Sequence, residues 1–248
     1  MSDTSLETLM GSQPDRNVPK AEQAYAYLRG AIITMHLKPG STLIEKEVCR
    51  ELGISRTPVR EAVLRLEREG LLTIVPGDGT FVSKISVHGV VQGHLVRSSL
   101  ELRMVRLAAR AFKPEFEREF ELSMFLLQDA HKHGDFDRAL GVDDAFHHLL
   151  CHMAGFPEVW EIICNATGQL DRVRRRAFLR SGLPQEIETE HRQIFGALRE
   201  GDENKAHGLL RVHLDDVAYV LEVMRDRDPE LLHDEGDISV LAAFQSPA

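Results

Sequence analysis

The stretch whose reading decides the fold is Gly53-Ile54-Ser55-Arg56-Thr57-Pro58-Val59-Arg60-Glu61-Ala62. It offers a tight turn, then hydroxyls and two arginines at the start of a helix whose Val59, Ala62, Val63 and Leu66 are spaced to face inward. Thr57 is the expected N-cap and Pro58 the expected first helical residue. A helix start bearing Ser55, Arg56, Thr57 and Arg60 has the chemistry for duplex DNA. Helix N-terminal amides attract phosphate, and arginine grips guanine or phosphate bidentately. In isolation the same residues would be a capped surface helix with solvated arginines, so the flanking sequence has to decide.

Upstream, Tyr25, Leu28, Ile32 and Met35 recur at helical spacing until Lys38-Pro39-Gly40 ends the run, and a short helix is expected from about Glu45 to Leu52. Downstream, Gly70 stops the third helix. Leu72 to Val75 and Thr80 to Ile85 then read as strands about a Pro76-Gly77-Asp78-Gly79 turn. Residues 18–86 are therefore expected to form a winged helix-turn-helix, three helices plus a β-hairpin wing, after a disordered arm at 1–17. From Val87 the strand signal stops. Amphipathic helices fit near 88–111, 114–133, 135–154, 157–181, 185–200 and 202–226, giving an all-α bundle over 87–226 and a flexible tail at 227–248.

Composition sets limits on function. With 43% hydrophobic and 28% charged residues the chain has a globular profile, and it holds no apolar run of membrane-spanning length. Met1 to Asn17 is polar and lacks a secretion core, so a cytoplasmic location away from membranes is expected. Cys49, Cys151 and Cys164 are too widely spaced for a metal knuckle and are read as reduced, packed thiols. A net charge of -9 argues at first against nucleic acid. The average conceals an asymmetry: Lys20 to Lys84 holds ten Lys and Arg against eight Asp and Glu, so that segment is +2 and the remainder is -11.

Four polar residues fall on stripes that should be buried. One stripe reads Phe136, Leu140, Asp143, His147, Leu150, Ala154; a second Ile187, His191, Ile194, Leu198; a third Ala206, Leu209, His213, Val217, Val220, Met224. A lone histidine on such a stripe is usually a hydrogen-bonded core residue. Three of them with an aspartate one turn from the first point instead to a shared divalent metal, because each group is costly to bury without a partner. His131, His133, His148 and His152 lie off the stripes and read as surface or outer groups.

Lys38-Pro39-Gly40, Leu43 to Glu47, Gly53 to Ala62, Leu66 to Leu71 and Gly79 to Val82 together resemble the winged-helix domain of the GntR family of transcription regulators. The resemblance implies that Arg56 and Arg60 read or clamp operator DNA, that Lys46 holds the backbone, and that the wing at Gly77, Gly79 and Thr80 reaches the minor groove. Residues 88–226 resemble the FCD domain of the FadR subfamily, which implies a metal held by Asp143, His147, His191 and His213. Zinc comes first among the candidates, with nickel, iron or manganese as alternatives. Open coordination positions and a net positive shell would suit a small carboxylate effector, with Arg97 at a position that can face it; an Arg97–Glu101 surface salt bridge is the competing reading.

The expectation is a homodimeric, effector-responsive regulator, a repressor, bound to double-stranded operator DNA. Two rivals stay open: a helical metalloenzyme built on the same Asp/His cluster, and a regulator whose metal is only structural.

Overall fold

The computed structural model describes residues 18–178, 183–215 and 217–233. The expected arm at 1–17 and the tail from 234 onward lie outside the described residues.

The N-terminal part is built on α1 (Lys20–Ile33), α2 (Glu45–Leu52) and α3 (Arg56–Arg68). Leu28, Ile32, Val48, Val59, Val63 and Leu66 close its core with Leu71, Leu72 and Val82. α1 ends at Ile33, short of the proline, because Met35 turns into the left-handed region at φ 60° and the Thr34 hydroxyl donates to the Gly30 carbonyl at 2.8 Å. Gly53 makes the turn between α2 and α3 possible: at φ 64° it caps α2 from a conformation that side chains disfavour. Ser55, not Thr57, is the N-cap of α3, and Pro58 is its third residue rather than its first. That position suits proline equally, since the first helical amides have no intrahelical acceptor.

The wing strands are β2 (Leu72–Val75) and β3 (Gly79–Val82). β1 (Thr42–Leu43), too short to register as a period, pairs with β3 and makes a three-stranded antiparallel sheet in the order β1-β3-β2. The second predicted strand run divides, leaving β4 (Ile85–Ser86) as a separate piece.

The helical part comprises α4 (Val87–Arg110), α5 (Phe116–Lys132), α6 (Phe136–Met153), α7 (Glu158–Ala166), α8 (Gly168–Ala177), α9 (Leu183–Glu200), α10 (Glu203–Asp215) and α11 (Val217–Arg227). Phe120, Met124, Leu127, Phe146, Ile194 and Leu198 occupy its core, with Phe120 and Phe195 stacked at 3.9 Å between centroids. The single helix expected at 157–181 is two. The interruption falls at Thr167, which is 2% exposed and donates its hydroxyl to Asp171 at 3.2 Å, and Gly168 then begins α8 in close contact with Leu71 of the N-terminal part. Of the helix expected at 202–226, the described residues show α10 up to Asp215 and α11 from Val217.

The expected tail is structured where it is described. A 3-10 turn, Pro229–Leu231, leads into β5 (Leu232–His233), which pairs in parallel with β4. Two residues of strand carry too little periodicity to be legible in sequence.

Candidate nucleic-acid interface and metal centre

α3 presents Arg56 and Arg60 on its outer face, with side chains 77% and 52% exposed. Both bond one carboxylate that the sequence reading missed. Glu45, the first residue of α2, accepts from Arg56 Nε at 3.1 Å and from Arg60 Nη1 at 3.2 Å. The pair is thereby held on one side of the helix start, beside exposed Ser55, Thr57 and Lys46. The wing turn exposes Gly77, and Gly79 is half-buried. Thr80 departs from expectation: it pairs with Leu43 and Ile74 in the middle strand and is buried at 8% exposure, so its side chain is not part of the outer wing surface.

Inside the helical part, α6, α9 and α10 bring Asp143, His147, His191 and His213 together, with one ligand atom from each lying within 4.8 Å of the others. His213 Nε2 stands 3.2 Å from His147 Nε2 and 3.4 Å from His191 Nε2, and His191 Nε2 is 3.3 Å from Asp143 Oδ1. Ligand bonds of about 2.1 Å give ligand-to-ligand edges of roughly 3.0–3.4 Å in octahedral or tetrahedral shells, the length of these three contacts.

The proton positions follow from the partners. His147 Nδ1 lies 2.6 Å from Glu101 Oε2, both fully buried. Burial works to raise the Glu101 pKa, but Arg97 and His147 outweigh it and hold it down at about 2. An ionised Glu101 only accepts, so His147 carries its proton on Nδ1 and turns an Nε2 lone pair inward. The Glu190 carboxylate accepts from His213 Nδ1 at 2.7 Å with the same result. Burial holds the His147 and His191 pKa values down to about 3 and about 4 respectively. Two lone pairs thus face one another across 3.2 Å, and the buried Asp143 Oδ1 has His191 Nε2 at 3.3 Å. The donor set fits a divalent cation, and its carboxylates on the far ring nitrogens are the usual means of orienting metal-bound imidazole.

Arg97 and Glu101 are no surface bridge: their side chains are 5% and 0% exposed and bonded at 2.6 Å, while Arg97 Nη2 lacks a partner. A cavity of about 60 Å³ adjoins the cluster, lined by His94, Arg97, Asp143, Arg174, Glu190 and His213 among others. Arg174 was invisible to the periodicity reading. It sits on α8, and its Nη2 donates to Asp143 Oδ2 at 2.5 Å. His94 was likewise missed; burial first, and Arg97 second, hold its pKa down to about 4. Of the histidines set aside, His133 and His152 are exposed, His131 and His148 are half-buried, and none joins the cluster.

An exposed arginine-bearing helix in a winged fold, joined to a helical part with a buried polar site, defines a DNA-binding transcription regulator. Residues 20–82 match the family described as bacterial regulatory proteins, gntR family, and residues 94–216 match the FCD domain. The chain is 34% identical to an HTH-type transcriptional regulator in an unstable DNA locus of Streptomyces ambofaciens, over 84% of this chain and 87% of that one. It is 30% identical to the HTH-type transcriptional repressor RspR of Escherichia coli, over 88% and 95%. The solved structure of E. coli McbR/YncC superimposes with a TM-score of 0.73 at 25% identity, covering 83% of this chain and 99% of that one. The chain belongs to the GntR family of transcription regulators and carries an FCD domain. Because its relatives are regulators, the enzyme reading of the Asp/His cluster is set aside. No helix among the described residues is long and apolar enough to cross a membrane.

Proposed function

We propose that this protein is a cytoplasmic, homodimeric repressor in which Asp143, His147, His191 and His213 hold a divalent metal, zinc first, and that a small carboxylate effector bound there alters operator affinity. The observation that carries the metal assignment is the pair of inward lone pairs on His147 and His213, 3.2 Å apart, which repel unless a cation or a proton lies between them. Burial disfavours a second proton on His147. When bound, the ion supplies a Lewis-acidic anchor for an anion. One carboxylate and three neutral imidazoles leave its shell at about +1, and Arg97 Nη2 offers a free donor at the edge of the adjoining cavity.

The DNA half of the reading assigns Arg56 and Arg60 to bases or phosphates, Ser55, Thr57 and Lys46 to the backbone, and the Gly77–Gly79 turn to the adjoining groove. One recognition helix reads only a few base pairs, which favours two copies on a two-fold site. Leu95 on α4 and Ile162 on α7, exposed at 47% and 57% on neighbouring helices, are apolar surface that a second copy would cover. The repressor sense is supported by the name of RspR.

The test is direct. Protein stripped with a chelator and reloaded with zinc is compared by thermal melting and by affinity for a duplex selected from a random pool, with candidate acids then added. A rise in melting temperature with zinc and a change in DNA affinity with an acid are expected. If zinc leaves the melting temperature unmoved, the metal assignment fails.

A further inference from the structure

The DNA-reading part bonds to the helical part around the α7–α8 junction, while Ile33 and Met35 add apolar contacts to it. Arg29 on α1 donates through Nη2 to the Cys164 carbonyl at 2.8 Å and to Asp171 Oδ2 at 2.9 Å. Arg65 on α3 donates to Asn165 Oδ1 at 3.1 Å, and Gln169 Nε2 to the Gly70 carbonyl at 2.7 Å. Gly168 is packed so closely on Leu71 that a Cβ there would stand 3.0 Å from Leu71 Cδ1. Arg29–Asp171 is the ion pair that spans the two parts among the described residues, with side chains 20% and 8% exposed.

Asp171 also faces inward. Its Oδ1 accepts from Arg174 Nη1 at 3.0 Å, and the Nη2 of the same guanidinium reaches Asp143 Oδ2 at 2.5 Å and Asp144 Oδ1 at 2.8 Å. A guanidinium is planar and presents its donors as a rigid fork. The two ends of Arg174 therefore cannot move independently: a displaced Asp143 carboxylate turns the fork from which Asp171 accepts. The result is a continuous series, Asp143, Arg174, Asp171, Arg29, from the candidate metal cluster to the helix that packs against α3.

We propose that the Arg29–Asp171 pair is the joint through which a change at the Asp143 carboxylate reaches the DNA-reading part, with Arg174 as the positioning residue between them. The proposal rests on the metal assignment made above. Asp143 is shared between two claims, since Arg174 holds Oδ2 while Oδ1 faces His191. When Oδ1 gives its charge to a cation, the carboxylate holds Arg174 less strongly, and the fork is freed to bond Asp171 and Asp144 more tightly. Asp171 then divides its charge differently between Arg174 and Arg29, and α1 shifts against α8. Such couplings commonly change affinity about 5- to 150-fold.

The experiment uses the full chain with zinc alone as the probe. Affinity for a selected duplex is measured on chelated and zinc-loaded wild type, Asp171→Asn and Arg29→Gln, together with zinc content and hydrogen exchange of the α1 amides. Wild type is expected to change affinity at least about 5-fold on loading, while both variants retain zinc and bind DNA with a response below 2-fold. Zinc-dependent exchange in α1 should be lost in the same variants. Variants that respond as fully as wild type overturn the joint while leaving the metal centre intact. A wild type that binds zinc without change in DNA affinity or in α1 exchange overturns it as well. Absence of zinc from wild type is a different failure, that of the metal assignment. If Asp171→Asn does not fold, Arg29→Gln and the exchange readout decide.

Discussion

Glu101 accepts a hydrogen bond from His147 Nδ1 at 2.6 Å in a spot where both side chains are fully buried. The same carboxylate holds Arg97 at 2.6 Å, so one residue from α4 orients an imidazole of α6 and neutralises a buried guanidinium. Removing its charge therefore has two effects. Glu101→Gln should weaken zinc affinity about 10- to 100-fold, measured by competition with a chromophoric chelator. It should also lower stability by about 3–5 kcal/mol in urea titrations, because Arg97 is left uncompensated. Unchanged zinc affinity would remove Glu101 from the site.

Acid should act through the neutral histidines. Burial first holds the pKa of His147 to about 3, of His191 to about 4 and of His94 to about 4, against an ordinary value near 6.5. Between those limits the unfolded chain binds protons that the folded chain refuses, so the stabilisation is complete above about pH 6.5 and is lost as pH falls towards 4. Urea midpoints of chelated protein at pH 7.5, 6 and 5 (conditions spanning roughly that window) should decline in that order. A flat profile would contradict the neutral, buried imidazoles.

On the DNA side, Arg60→Ala should reduce affinity for a selected duplex by about 1–3 kcal/mol with zinc content unchanged. Lys46→Ala should weaken binding evenly across sequences and lower the salt slope by about 1. Thr80→Ala, by contrast, should leave affinity within about 2-fold, since its buried side chain is not presented outward. An Arg60 variant that shifts a duplex as well as wild type would remove α3 from the reading face.

Arg172 has no exposed surface, and among the described residues its Nε and Nη2 lack hydrogen-bond partners. Nη1 alone donates, to Gln169 Oε1 at 3.2 Å, and burial pushes the guanidinium pKa down to about 10. An apolar side chain of similar length fits that setting better. Arg172→Met should raise the unfolding free energy by about 1–2 kcal/mol in urea titrations. A loss of stability would show that the charge is compensated.

The sequence disclosed what periodicity and caps encode. Gly53 between two short helices, and the apolar residues of α3, were enough for the winged fold, and the stripes bearing Asp143, His147, His191 and His213 located the cluster. Residues that act across helices escaped. Glu101, Glu190, Arg174 and Glu45 each meet their partners through packing, at separations in the chain to which no helical or strand period corresponds. Short strands such as β1 and β5 carry too few residues for a pattern, and the break at Thr167 falls where α8 packs on Leu71, a contact made through folding. Thr80 lies in the wing as expected, but its burial was not legible because alternation along a four-residue strand does not say which face packs inward.

The most direct measurement is native mass spectrometry of wild type and of His213→Ala after incubation with zinc and removal of the excess. Wild type should carry a single tightly held divalent ion per chain, and the variant should carry none at the same concentration. A wild-type mass equal to that of the polypeptide alone, or an ion held equally by both, would contradict the metal centre on which the regulatory reading is built.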